Sequence, residues 1–178
     1  METKKCIETR TSIRKFTSEK ISVEEIKELI RLAALSPSWK NAQTTRYTAI
    51  VNPAVIADIR DHMVPSFNGK ILSTAPAVIA LSCIKGRSGY EKDGTPTTPY
   101  GEAYTYMDCG IAAETLCLAA TDMGLGSVII GIFDVEKIKN TLDIPEDQDL
   151  LALIAVGKPD MEIIHRPRKE LDEILKIL

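Results

Sequence analysis

The side chains best suited to chemistry in this sequence lie in a short basic segment near its start, residues 10–16. Arg10 and Arg14 stand four positions apart, with Ser12 between them and Phe16 at the end of the segment. A guanidinium group binds phosphate oxygens through two coplanar hydrogen bonds, and a serine hydroxyl can add another. The segment is therefore either a phosphate-binding strip or a solvated basic turn, and features elsewhere in the chain favour the first.

Three later groups of basic, amide and hydroxyl side chains could complete such a site. They are Ser38, Asn41 and Gln43, then Asn68 and Lys70, and finally Arg166 and Arg168. A short apolar segment that ends in glycine, residues 127–131, separates the second group from the third. The second and third groups also have ordinary explanations, since the second fits a helix start and the third fits charges ahead of a terminal helix.

Several familiar catalytic motifs are missing from the sequence. Gly124 and Gly126 follow a predicted helix and not a strand, which is the wrong order for a dinucleotide-binding glycine motif. The two histidines, His62 and His165, have no neighbouring His or Cys with which to hold zinc. No Gly-x-Ser-x-Gly nucleophile elbow occurs. If the chain is an enzyme, we expect a bound cofactor to carry its chemistry.

The composition favours one domain, residues 1–178, that works in a reducing compartment. The chain has 178 residues, of which 44% are hydrophobic, enough for one substantial core. A net charge of −3 argues against nucleic acid as the main partner. The longest apolar run, 75–84, is too short to span a membrane, and no apolar signal core follows the first residues. The four cysteines form no closely spaced pair, so we expect a reduced, cytoplasmic protein.

Periodicity and capping signals place the elements that must position these side chains. Ser22 and Glu25 form a capping box that starts a helix, and Pro37 ends it. Further helices are predicted over 53–63, 104–123 and 135–142, and strands over 47–51, 77–84, 127–131 and 150–156. The result is an α+β domain with about four core strands and about five helices.

Three further segments are distinctive. Residues 104–123 are apolar around most of the predicted helix, which is then either the central core helix or a surface against a partner subunit. Residues 85–101 contain four glycines and two prolines and form a long loop, either a cover for the active site or a flexible surface loop. Residues 160–178 form a C-terminal extension.

Taken in order along the chain, four motifs resemble those of the nitroreductase family of flavin enzymes. The first is Arg-x-Ser-x-Arg-x-Phe at 10–16, and the second is Pro-Ser-x-x-Asn-x-Gln at 37–43. The third is Gly-Leu-Gly-Ser leading to Ile-Gly at 124–131. The fourth is a Gly-x-Pro turn at 157–159, followed by the pair at 166 and 168. Each motif is short, but four in this order are hard to obtain by chance.

The resemblance implies a nitroreductase-like three-layer α+β fold, in which helices flank a central, mostly antiparallel sheet. It also implies a homodimer with one FMN at each of two interface sites. In that case the FMN phosphate would be held by Arg10, Ser12, Arg166 and Arg168. The pyrimidine edge of the ring would meet Arg14, Asn68 and Lys70, and the ring itself would lie on the backbone of Ile130 and Gly131. The other subunit would supply Pro37, Ser38 and Asn41, with Gln43 in the same motif.

The activity implied by the resemblance is electron transfer by a ping-pong mechanism. NADH or NADPH would reduce FMN and leave, and a small acceptor such as a nitroaromatic or a quinone would then enter the same pocket. No side chain needs to act as an acid or a base. Two alternatives remain open on the same fold: a non-catalytic flavin-binding or sensing protein, and an enzyme that modifies flavin itself.

The sequence departs from the family pattern in two places. Many relatives carry Pro-Trp after the glutamine of the second motif, where this chain has Thr44 and Thr45. Many also carry a second glycine after Gly131, where this chain has Ile132. Trp39 lies inside the second motif, and we expect it to be a partly buried packing residue. Phe16 is likewise expected to pack and fix the strip, not to stack on the flavin.

Overall fold

The computed structural model of the protein describes residues 2–178 and arranges them as helices on both faces of one sheet. Seven α-helices occur among these residues: α1 (Thr3–Thr9), α2 (Val23–Ala33), α3 (Pro53–His62), α4 (Ser66–Leu72), α5 (Ala103–Asp122), α6 (Val135–Thr141) and α7 (Leu171–Ile174). The described strands are β1 (Thr45–Ile50), β2 (Ala77–Ile84), β3 (Gly126–Ile130) and β4 (Gln148–Gly157), and a 3₁₀ turn spans Trp39–Asn41.

The sheet has the strand order β1-β2-β4-β3, and every neighbouring pair is antiparallel. One row of partners, Ala49, Ile79, Ile154 and Ile129, crosses all four strands. The two longest strands, β2 and β4, lie in the centre, where both of their faces can be covered. The predicted α+β architecture with a central sheet between helices is therefore confirmed.

Two hydrophobic cores lie on opposite faces of this sheet. Along β2, Val78 and Ala80 belong to the core under α3, α4 and α6, whereas Ile79 and Leu81 belong to the core under α2 and α5. Successive side chains of a strand point to opposite faces, so a strand covered on both sides is apolar at every position. This explains why β2 shows no alternation of polar and apolar residues in the sequence.

The structure contains two short helices, α1 and α4, that the sequence does not reveal. Each has seven residues, which is too short to be stable without tertiary contacts. α1 buries Cys6, whose thiol donates to the carbonyl oxygen of Leu118 at 3.2 Å, and α4 buries Ile71 and Leu72. The capping box at the start of α2 is confirmed, since Glu25 accepts from the Ser22 backbone at 2.8 Å.

α5 is a core helix within the subunit, as the first of the two alternatives left open by its sequence requires; the second, a surface against a partner subunit, stays a prediction. It packs on α2 and on the sheet and buries nine of its residues, including Leu116 and Ala120. One stripe stays exposed and contains Tyr106 and Met107, which are 45% and 51% accessible. None of the helices formed by residues 2–178 has the length and apolarity needed to cross a bilayer.

Candidate functional site

The basic strip runs alongside β3 and is anchored by two apolar side chains, one in its middle and one at its C-terminal end. The Ile13 amide donates to the carbonyl oxygen of Ser127 at 2.9 Å, and Ile13 is buried. A Cβ on Gly126 would lie 2.6 Å from Ile13 Cγ1, so only a glycine allows the strip to approach this closely. Phe16 is also buried, and its amide donates to Thr74 Oγ1 at 3.2 Å. The packing role expected for Phe16 is therefore confirmed.

The start of the C-terminal extension is hydrogen-bonded to the same strip. The Asp160 amide donates to the carbonyl oxygen of Lys15 at 3.0 Å, and the Lys15 ammonium lies 2.8 Å from the Asp160 carboxylate. The Arg14 amide lies 3.3 Å from the sulfur of Met161. These contacts direct the following residues of the extension back over the strip, although the two segments are far apart in sequence.

A basic cavity of about 360 Å³ forms where the strip and the extension meet. Its polar lining consists of Arg10, Thr11, Ser12, Arg14, Arg166 and Arg168. The apolar side chains of Met161 and Ile164 complete the wall, and no acidic side chain is among the described residues that line it. Four guanidinium groups around one concavity make this a site for an anion, and phosphate suits their planar donor geometry.

Arg10 is the most enclosed of the four arginines that line this cavity. Its side chain is 20% exposed, and its Nε lies 3.4 Å from Glu114 Oε1 on α5. Glu114 does not line the cavity, so the ion pair orients the guanidinium from behind while leaving donors for a ligand. Arg14 Nη1 donates to the Ser12 carbonyl oxygen at 3.3 Å, and Arg168 Nη1 donates to the Arg166 carbonyl oxygen at 3.1 Å.

A second cavity of about 480 Å³ adjoins the first, because Arg14 lines both. The other lining residues come from α4 and from the end of β3; they are Phe67, Asn68, Lys70, Ile71 and residues 128–132. Arg14 and Lys70 give this cavity two cations, and Phe67, which is 55% exposed, gives it an accessible aromatic ring. A planar, partly anionic ligand with a phosphate tail would fit the two cavities taken together.

Gly131 leaves open space above the backbone at the edge of the second cavity. A Cβ there would meet no described atom within 4 Å, so a flat ligand could approach the main chain closely. Ile130 is buried and also lines this cavity. Asn68 is buried as well, and its Nδ2 donates to the Ile132 carbonyl oxygen at 2.9 Å, which fixes the loop after β3 against α4.

The residues of the second motif lie apart from both cavities. Pro37, Ser38 and Gln43 line a separate cavity of about 220 Å³ beside β1, and Asn41 lines none of these three cavities. The Ser38 hydroxyl accepts from the Gln43 amide at 3.0 Å and closes the loop on itself. Within one chain, the structure thus brings the first, third and fourth motifs together and leaves the second motif elsewhere.

Trp39, in the middle of this loop, packs as expected. Its ring lies on Tyr104, with 4.2 Å between ring centroids, and the Lys40 ammonium lies 5.8 Å from the indole centroid. Tyr47 lines the same small cavity, and burial, with a smaller contribution from nearby Cys109, raises the pKa of Tyr47 to about 12. Its phenol therefore stays protonated throughout the physiological range.

The sequence does not point to Asp108 or Ser88, yet the structure connects both to the second motif. The Trp39 amide donates to the carboxylate of Asp108, and the Ser88 hydroxyl donates to the same carboxylate at 2.6 Å. One signal was available: Asp108 is an acidic residue in line with the buried positions Thr105 and Ala112 of the long helix. A charge at such a position indicates a polar contact in the core.

The four cysteines are buried, free thiols. A hydrogen bond with Cys109, followed by burial, raises the pKa of Cys83. Burial is also the main reason that the pKa of Cys117 is raised. Thiols held in the protonated form are poor nucleophiles. These two cysteines are therefore unsuited to nucleophilic catalysis.

Comparison with known proteins agrees with the geometry. A family model described as the nitroreductase family matches residues 7–71 and 64–158. An oxygen-insensitive NADPH nitroreductase from Helicobacter acinonychis (strain Sheeba) is 28% identical over 175 residues, which cover 83% of this chain and 82% of the relative.

Solved structures give the same result for the fold. A nitroreductase family protein from Clostridium novyi NT is 28% identical and has a TM-score of 0.76, over 97% of this chain and 91% of that one. A nitroreductase family protein from Streptococcus pneumoniae TIGR4 has a TM-score of 0.86 over 99% of this chain and 100% of that one. The second protein is only 23% identical and bears on the fold alone. The expected nitroreductase-like fold is confirmed.

Proposed function

Because the chain belongs to the nitroreductase family, we propose that it binds FMN and transfers electrons from NADH or NADPH to a small organic acceptor. It is an enzyme of the nitroreductase class of oxidoreductases. One observation carries the finer proposal: the basic cavity and the cavity over Gly131 adjoin at Arg14. A phosphate site next to a slot for a flat ring matches the two ends of FMN.

The phosphate of FMN would be held by the basic cavity. Arg10, Arg166 and Arg168 would neutralise its charge, and Ser12 would add a hydroxyl donor. A charge-assisted hydrogen bond contributes about 1.5–3 kcal/mol, so each such contact strengthens binding by roughly 10- to 150-fold. The enclosure of Arg10 supports this assignment, since a partly desolvated cation interacts more strongly with an anion.

The ring of FMN would occupy the second cavity, against the backbone of Ile130 and Gly131. When bound, FMN supplies the chemistry of accepting and donating two electrons. Arg14 and Lys70 would place positive charge at the pyrimidine edge, with Asn68 beside them. Positive charge there stabilises negative charge on the ring and so raises its electron affinity. No residue of this chain is assigned the role of an acid or a base.

Pro37, Ser38 and Asn41 would complete the FMN site of a second copy of the chain, with Gln43 in the same loop. Their distance from the other motifs within one chain supports this arrangement. Several exposed apolar side chains support a homodimer as well. They are Tyr106 and Met107 on α5, and Leu171, Ile174 and Ile177 in the C-terminal extension, where exposure reaches 66–85%. We propose that the loop 85–101 covers the neighbouring active site in such a dimer.

The proposal is tested by the absorbance spectrum of the purified full-length protein and by titration of flavin-free protein with FMN. We expect a yellow protein whose flavin bleaches when NADH or NADPH is added without oxygen and recovers its colour with a nitroaromatic or a quinone. Protein that neither carries nor binds FMN would refute the proposal.

A yellow protein that neither donor bleaches would instead be a flavin-binding or sensing protein. Loss of the flavin spectrum that no acceptor reverses would favour an enzyme that modifies flavin. Gel filtration at several concentrations tests the dimer, and a monomer at micromolar concentration would contradict it.

A further inference from the structure

A cluster of buried polar side chains lies beneath the second motif. Ser88 and Thr105 are completely buried, and Thr44 and Asp108 are 1% and 2% exposed. Asp108 and Thr105 come from α5, Ser88 from the loop 85–101, and Thr44 from the residue before β1. Three separate segments of the chain therefore meet in one buried polar cluster that contains the Asp108 carboxylate.

Every polar member of the cluster is hydrogen-bonded to another part of it. The Ser88 hydroxyl donates to Asp108 Oδ2 at 2.6 Å and lies 3.4 Å from the Thr44 hydroxyl. The Thr105 hydroxyl donates to the Ser88 carbonyl oxygen at 3.2 Å. A buried carboxylate is costly unless its oxygens are satisfied, and well-packed apolar side chains would stabilise the fold at least as well. The cluster is therefore better explained by a particular conformation that it fixes.

The conformation in question is that of the loop formed by the second motif. The Trp39 amide donates to both oxygens of Asp108, at 3.1 and 3.0 Å. Three residues of this loop have positive φ angles: 44° at Lys40, 56° at Asn41 and 48° at Gln43. Such angles are unfavourable for most residues other than glycine. A backbone of this kind persists only where its surroundings hold it.

A second contact fastens the same loop from outside. The Lys40 ammonium lies 2.8 Å from the carboxylate of Glu91, which also accepts from the Thr97 hydroxyl at 3.0 Å. Because Glu91 and Ser88 both belong to the loop 85–101, the two loops are held as one unit. The ammonium–carboxylate pair is largely exposed and contributes little to the stability of the loop by itself. The buried hydrogen bonds therefore contribute more to fixing the loop.

We propose that Asp108 and Ser88 are positioning residues that hold the loop 36–43 ready to complete the FMN site of a second subunit. Asp108 touches neither of the two cavities assigned to FMN. It acts through the Trp39 amide, which sets the direction of Pro37 and Ser38 on one side and of Asn41 on the other. The inference rests on the proposed function and adds to it the group that orders the loop before FMN binds.

Trp39 makes the test direct, because it is the one tryptophan in the sequence. Its fluorescence in flavin-free protein, and the quenching of that fluorescence by acrylamide, report the order of this loop. We expect Asp108→Ala to raise the quenching constant about threefold, since the Trp39 amide loses its acceptor. Asp108→Asn keeps an oxygen at that position and should restore most of the protection.

Ser88→Ala is a second test variant, and Ser82→Ala is its matched control. Each removes one buried hydroxyl that donates to a single side-chain oxygen, Asp108 for Ser88 and Gln148 for Ser82 at 2.7 Å. Both variants should lose similar thermal stability, but only Ser88→Ala should raise the quenching of Trp39. If Asp108→Ala does not fold, this pair still decides the question. Unchanged quenching in Ser88→Ala and in any folded Asp108→Ala would overturn the inference.

FMN titration of the same variants tests the link to the cofactor. We expect Asp108→Ala to raise the Kd for FMN about tenfold, and Ser82→Ala to leave it within about twofold of wild type. A looser Trp39 with an unchanged Kd would refute the positioning role. If the wild-type protein itself binds no FMN, the proposed function fails, and the quenching comparison still confirms or refutes the hold on the loop.

Discussion

Replacing Arg10 by alanine should weaken the binding of FMN far more than the binding of riboflavin, which lacks the phosphate. The Arg10 side chain is 20% exposed and lines the basic cavity, so its contact with a phosphate would be partly shielded from water. Losing one charge-assisted hydrogen bond costs about 1.5–3 kcal/mol. The Kd for FMN should therefore rise about 10- to 150-fold.

The neighbouring Glu114 places the expected loss toward the upper end of that range. In the wild-type protein its carboxylate pairs with Arg10 at 3.4 Å. Without Arg10 the carboxylate is unpaired close to the phosphate, and like charges repel. The double variant Arg10→Ala/Glu114→Gln should therefore recover part of the lost affinity. This recovery would not occur if alanine at position 10 merely unfolded the strip.

The assay is fluorescence titration of flavin-free protein with FMN and, separately, with riboflavin. Arg31→Ala is the matched control, because it removes the same charge and breaks an ion pair with Glu28 at 2.7 Å on the exposed face of α2. That control should leave both affinities unchanged. Equal losses for FMN and riboflavin would refute a contact between Arg10 and the phosphate, and so would an unchanged Kd for FMN.

Three other substitutions test the packing of the strip, the placement of the ring and the raised pKa of Tyr47. Gly126→Ala should lower the free energy of unfolding by about 1–3 kcal/mol in urea denaturation, because its Cβ would lie 2.6 Å from Ile13; undiminished stability would show that the strip is free to move. Gly131→Val should change that free energy by less than about 0.5 kcal/mol but weaken FMN binding in the same titration, and unweakened binding would place the ring elsewhere. The pKa of Tyr47 is about 12 in the folded protein, against an ordinary value of 10.0. The raised pKa therefore adds to the free energy of unfolding in full below pH 10, and this contribution is lost as the pH rises toward 12. Wild type should therefore lose stability relative to Tyr47→Phe across this interval, and a constant difference between the two would contradict the raised pKa.

Much of the fold can be predicted from the sequence, because its signals are local. The capping box of α2 depends on two residues three positions apart, and Pro53 similarly marks the start of α3. The apolar run of β2 predicts a strand covered on both faces, as the structure has it. Helices α1 and α4 escape prediction because seven residues carry too little periodicity, and their stability comes from Cys6, Ile71 and Leu72 packing elsewhere.

The sequence by itself determines which side chains are available for the site and in what order, since Arg10, Ser12 and Arg14 occupy alternate positions of one short segment. Only the tertiary structure decides what they meet. The pairing of Lys15 with Asp160 brings the late arginines to the strip, and the contact of Trp39 with Asp108 spans 69 positions. Such contacts depend on how two cores pack against one sheet, a property of the whole chain that no short stretch of sequence contains.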